Sequence, residues 1–167
     1  MDTGATIAGI VMGAIFAGAG KIFFDYYQRI QNRNGIASAI AGEISGIIYG
    51  AETSQHAQRF AAMAALLRSA APPTPPWAFF DMTHKPTPVL DAYIDRIGDL
   101  GGELPARAAH FYTLLGGIRL KTKILASGYY HTNPLAAAAE IDAGLAIWAI
   151  ASAEGKLLVK DLQALSG

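Results

Sequence analysis

The sequence predicts an all-α protein: an N-terminal transmembrane helix followed by a helical bundle or hairpin domain with a Pro-rich loop. Three observations lead there. Residues 3–20 carry no charged side chain. Apolar residues beyond position 35 recur at helical spacing, and strand-like alternation is absent. Prolines concentrate between residues 72 and 88, where they exclude regular helix.

The apolar run Thr3–Gly20 is followed at once by Lys21, Phe23, Phe24, Tyr26 and Tyr27, then by Arg29 and Arg33. Aromatic rings and basic side chains of this kind gather at the membrane–water interface. The run is short for a bilayer, but Ile22, Phe23 and Phe24 extend it if Lys21 snorkels to the surface. A signal peptide fits less well, because no Lys or Arg precedes the run. All nearby basic residues follow it, so the positive-inside rule places the N-terminus outside and the C-terminal domain in the cytoplasm. For a bacterial chain this is the inner membrane.

Within the span, Ala5, Gly9, Gly13 and Ala17 recur every four residues. Small residues at that spacing form a groove in which a second helix backbone approaches closely, the arrangement that drives association in lipid. These four positions are the expected helix-association surface.

Residues 1–33 thus form an anchor with a polar continuation, and residues 34–167 the all-helical domain. An interruption is expected near Asn32, Asn34 and Gly35. A second helix then runs from Ile36 to about Ser69, with Ile36, Ile40, Ile44, Ile47 and Ile48 on one face. Gly42, Gly46 and Gly50, each costly inside a helix, point to close packing against another element. Glu43 lies among these apolar residues and needs a partner there; Arg119 or a tyrosine hydroxyl can supply one. A carboxylate at mid-bilayer is costly, which argues against Ile36–Ala51 being a second span.

Residues 71–88 form the Pro-rich loop. Trp77, Phe79 and Phe80 make it too apolar for a free linker, so they are expected to pack on the bundle or on a partner. Three helix starts follow. Thr87 precedes Pro88 at a first helical position, Pro105 opens another helix, and Asn133–Pro134 is the best-formed start signal. Helices are expected over about 88–97, 105–126 and 134–165, stopped by Gly98 with Gly101 and Gly102, and by Gly128. Their buried faces carry Val89, Tyr93 and Ile97; Phe111, Leu114, Leu115 and Ile118; and Ile141, Leu145, Trp148, Ser152 and Leu158.

Three stretches carry a resemblance: Thr87-Pro-Val-Leu-Asp-Ala-Tyr-Ile-Asp-Arg-Ile-Gly-Asp-Leu100, Glu103-Leu-Pro105 and Ala109-His-Phe-Tyr-Thr-Leu-Leu115. Over about 35 residues this resembles uncharacterised bacterial single-span membrane proteins with a C-terminal helical hairpin. The resemblance implies an anchored helical hairpin and no particular activity.

Composition and motifs narrow the function classes. Hydrophobic residues make up 52% and charged residues 16%, with a formal net charge of zero, so no overall field favours nucleic acid. With no cysteine, disulfides and thiolate chemistry are excluded. Glu52 and His56 lie one helical turn apart but lack the further ligands a metal needs. Glu140 and Asp142 are two apart and point to different faces of a helix. His110 and His131 lie beside aromatics, a common setting for structural histidines. Arg119, Lys121 and Lys123 form a small basic group suited to lipid headgroups. No nucleophile–base set, metal site, cofactor motif or phosphate-binding loop stands out.

The expectation is therefore a non-enzymatic, membrane-anchored accessory or scaffold subunit, with no catalytic residues and no cofactor. Its partners are the bilayer and other transmembrane helices, its own or those of a larger complex. A membrane-acting effector or signalling protein, whose helical domain controls oligomerised anchors, is the alternative.

Overall fold

A computed structural model describes residues 3–69, 87–130 and 132–166, with the backbone alone for residues 3–20, 22 and 23. Five α-helices follow in order: α1 (Thr3–Thr53), α2 (His56–Ser69), α3 (Pro88–Tyr93), α4 (Leu104–Ala126) and α5 (Pro134–Ser166). A 3-10 segment, Ile94–Leu100, extends α3. No strand occurs among the described residues, so the all-helical class holds. Trp77, Phe79, Phe80 and His131 lie outside the described residues, as do the side chains of Ala5, Gly9, Gly13, Ala17 and Phe23.

The first correction concerns α1. It runs unbroken through the expected interruption at Asn32–Gly35. Asn and Gly are poor helix formers, yet tertiary contacts override that preference here. With its amide oriented to serve both carbonyls, Asn34 donates to Ile30 O at 3.2 Å and to Leu165 O at 3.1 Å. Ile36 and Ala37, directly beyond, are buried. The break falls instead at Ser54–Gln55, where Gln55 takes φ 52°. At about 1.5 Å per residue, the 51 residues of α1 span roughly 77 Å.

Ile36, Ile40, Ile44 and Ile48, each four residues apart, form the buried face of α1. They meet Phe111, Tyr112 and Leu115 of α4, Ala151, Leu158 and Leu162 of α5, and Leu100. Full burial of an aliphatic or aromatic side chain stabilises by about 1.5–3 kcal/mol. A second cluster joins Ala64 and Leu67 of α2 to Leu125 of α4 and to Ala137, Ala138 and Ile141 of α5. The common element is α5: α1, α2 and α4 all make their main helix–helix interfaces with it. Its length and composition also make it the one helix, among the described residues outside α1's N-terminal segment, able to cross a membrane.

Helix ends confirm some signals and correct others. Asn133 caps α5, accepting Ala136 N–H at 3.0 Å on Oδ1. The starts of α4 and α5 fall within one residue of expectation. Gly101 and Gly128, with φ of 74° and 80°, take the positive φ that glycine adopts without strain just after a helix end. Thr87, by contrast, makes no side-chain cap.

The glycine series on α1 also reads differently in the fold. A Cβ added at Gly42, Gly46 or Gly50 meets nothing within 4 Å, so these positions face open space rather than a packed neighbour. The glycine that does permit close approach is Gly155 in α5. There an added Cβ would lie 2.7 Å from Phe111 Cε2 and 2.9 Å from Ile48 Cδ1.

Candidate functional site: a glycine-walled groove beside a buried carboxylate

Because α1 and α4 both lean on α5 and do not pack closely backbone to backbone, a space remains between them. It is a groove of about 640 Å³ with walls from α1, α2, α4, α5 and the start of α3. Its lining is predominantly apolar and includes Ile47, Phe60, Ile118, Leu145 and Trp148. Gly46 and Gly50 widen it on the α1 side, and Gly144 does so on α5.

Glu43 closes one part of this wall. Its Oε1 accepts Val89 N–H at 2.7 Å, and its Oε2 accepts Leu90 N–H at 3.2 Å and the Tyr112 hydroxyl at 2.6 Å. The first turn of α3 is thus capped by a carboxylate from α1, which explains why Thr87 does not cap it. A helix leaves its first N–H groups unpaired, and an acidic side chain is the natural acceptor for them. Of the two partners expected for Glu43, the tyrosine hydroxyl is the one used. Burial raises the Tyr112 pKa well above the usual tyrosine range, and the hydrogen bond to Glu43 and its charge raise it further. With these three donors the Glu43 carboxylate fixes the start of α3 and Tyr112 of α4 to the long helix.

The other charged side chains of the wall separate by role. Lys121 and Glu140 form a half-buried ion pair at 2.5 Å between α4 and α5. Arg119 lines the groove and takes no hydrogen-bond or ion-pair partner among the described residues. Lys123 is exposed. Arg119, Lys121 and Lys123 therefore do not act as one basic patch.

Elsewhere the charges tie helices together. Glu52 pairs with Lys156 at 2.7 Å, while His56 lies beyond the helix break and lines the groove, so the two form no joint site. Asp142 pairs with Arg68 and Glu140 with Lys121, on different sides of α5. His110 lies 3.3 Å from Glu154 at the surface. The exposed pairs among these, Glu52–Lys156, Arg68–Asp142 and His110–Glu154, contribute little individually, about 0–1 kcal/mol.

At the expected membrane interface, Lys21, Phe24, Tyr26, Tyr27 and Arg29 are exposed around α1, whereas Arg33 is half-buried. Tyr27 accepts a hydrogen bond from Gln31 at 2.8 Å. Among the described residues no element covers Phe24, Tyr26 or Tyr27, which are 59%, 63% and 53% exposed.

The groove itself escaped sequence reasoning. Its signal was present: Tyr112, Leu115 and Arg119 share one helical stripe, so a cation was placed on an apolar face. No family model matches the chain, and neither a curated protein nor a solved structure matches it.

Proposed function

We propose that the protein is a non-enzymatic, membrane-anchored accessory or scaffold subunit of the bacterial inner membrane. Its N-terminus lies outside and its bundle in the cytoplasm. Residues 3–20 of α1 cross the bilayer and associate through Ala5, Gly9, Gly13 and Ala17, either with copies of the same helix or within a larger complex. The observation that carries this reading is the continuity of α1. One helix leads from an uncharged segment, through exposed Lys21, Phe24, Tyr26 and Tyr27, into the buried face Ile36–Ile48. In this reading α5 is the helix on which α1, α2 and α4 pack, and not a membrane span.

The same continuity favours a second reading, an effector or signalling protein. A rigid helix shared by anchor and bundle transmits a rearrangement of one to the other, whereas a hinged linker would absorb it.

Crosslinking in native membranes tests the association surface. Gly13→Leu inserts a branched side chain where backbones approach, and overpacking of about 1–3 kcal/mol weakens association roughly ten- to hundred-fold. Val11→Leu, on the opposite face, is expected to be silent. Equal crosslinking of both variants and the wild type removes the surface from the account. Co-purification in mild detergent separates the two readings: a stable larger complex supports the subunit, and a homo-oligomer whose overexpression leaks ions supports the effector. A reporter fused after Gly167 is expected to behave as cytoplasmic, and periplasmic activity of an intact fusion reverses the orientation.

A further inference from the structure

We propose that the groove between α1, α4 and α5 binds a single-chain anionic amphiphile, a long-chain acyl carboxylate whose head group pairs with Arg119. The inference rests on the groove alone and stands whether or not α1 crosses a membrane.

Size comes first. The space of about 640 Å³ falls within the roughly 300–1,000 Å³ of small-molecule sites. At about 30 Å³ per group of water's size, it holds about twenty such groups. That is room for one acyl chain with its head. The walls suit such a chain, being formed by Ile47, Phe60, Ile118, Leu145 and Trp148. Gly46 and Gly50 stand with open space where their side chains would be, although glycine weakens a helix and nothing packs against either position.

Charge then selects the head group. Five titratable side chains line the groove: Glu43, His56, Arg119, Lys121 and Glu140. Glu43 is saturated by Tyr112, Val89 and Leu90. Lys121 and Glu140 neutralise each other, and His56 has contacts of its own. Arg119 is left as a half-buried cation on an apolar wall with no partner among the described residues. Its planar fork of donors matches a carboxylate in a bidentate pair. A chain without charge would fill the groove and leave the guanidinium unanswered.

Trp148 lines the groove and reports on its contents. In a Trp77→Phe background, full-length protein in vesicles of unbrominated phosphatidylcholine is titrated with 9,10-dibromostearate, whose bromines quench tryptophan at contact. The expected result is saturable quenching of Trp148. Arg119→Gln should raise the midpoint about tenfold or more, as loss of a charge-assisted hydrogen bond implies, and Arg119→Lys should recover part of the loss. The methyl ester of the same acid should bind more weakly and be indifferent to Arg119→Gln. Gly46→Leu, whose Cβ would meet nothing within 4 Å, should block binding with Arg119 intact. Absence of saturable quenching, the result if another occupant fills the groove, overturns the proposal. Equal midpoints for acid and ester, or for Gly46→Leu and wild type, overturn it as well. In a separate arm, vesicles of dibrominated phosphatidylcholine without added acid should leave Trp148 emission largely intact; deep quenching there makes the groove a bilayer-lipid surface and refutes a single-chain site.

Discussion

The Tyr112 hydroxyl donates to Glu43 Oε2 at 2.6 Å, joining α4 to α1 across 69 positions of sequence. That oxygen also accepts Leu90 N–H, while Oε1 accepts Val89 N–H. Three helices therefore meet at one carboxylate, and the return point of the Pro-rich segment is fixed to the long helix.

The bond is measurable as a coupling. Hydrogen bonds to charged groups contribute about 1.5–3 kcal/mol, so Tyr112→Phe should destabilise by that order. Glu43→Leu should cost more, because it also strands two backbone donors. A double-mutant cycle by denaturant unfolding should show the double variant clearly more stable than the sum of the single losses predicts. Simple additivity would mean that the two groups do not interact in solution.

Alkaline pH gives a second test. Tyr112 ionises in the unfolded chain near pH 10, while in the fold burial and Glu43 hold its pKa higher. The unfolded state therefore loses a proton that the folded state keeps. The stability linked to Tyr112 is complete below about pH 10 and declines above it, by up to about 1.4 kcal/mol per pH unit. Across that window, unfolding measurements should show the gap between wild type and Tyr112→Phe narrowing. A gap that stays constant to high pH contradicts the buried hydroxyl.

Two glycine substitutions should move stability in opposite directions. At Gly155 a methyl group would collide with Phe111 and Ile48. Overpacking of about 1–3 kcal/mol there exceeds the gain of about 1 kcal/mol from replacing glycine in a helix. At Gly46 nothing opposes that gain. Gly155→Ala should lower the thermal midpoint and Gly46→Ala raise it, by a few degrees each for a chain of this size. The same sign at both positions would contradict the packing.

Continuity of α1 can be read as a distance. Spin labels at Gln28 and Tyr49, both exposed, should lie about 32 Å apart along the helix axis at 1.5 Å per residue. The separation should be narrowly distributed. A short or broad distribution would restore the break at Asn32–Gly35.

Much of this architecture was legible because local signals and packing agree. Asn133–Pro134 predicts the start of α5 and caps it in the fold. The four-residue spacing Ile36, Ile40, Ile44 and Ile48 predicts a buried face and forms one. Where local preference and tertiary contact disagree, contact prevails. Asn34 and Gly35 read as a break, yet the Asn34 amide bridges to Leu165 and Ile36 is buried one residue later. The need of Glu43 for a tyrosine hydroxyl was legible; its capping of α3, which links residues 46 and 47 positions apart, was not. The groove was hidden for the same reason. A glycine series has the same spacing whether it lets helices approach or leaves a space between them, and only the placement of α4 on α5 decides which.

In the function proposed above, the N-terminal part of α1, rather than α5, enters the membrane. Single cysteines at Val11 and Ala146 give unique labels, since the chain contains none of its own. Ala146 lies on the exposed side of α5. In native-like membranes, collision rates of a spin label with oxygen and with a water-soluble nickel chelate distinguish lipid from water. If the N-terminal part of α1 is the span, the Val11 label favours oxygen and the Ala146 label favours the chelate. The reverse pattern, or a Val11 label open to the chelate, would contradict it.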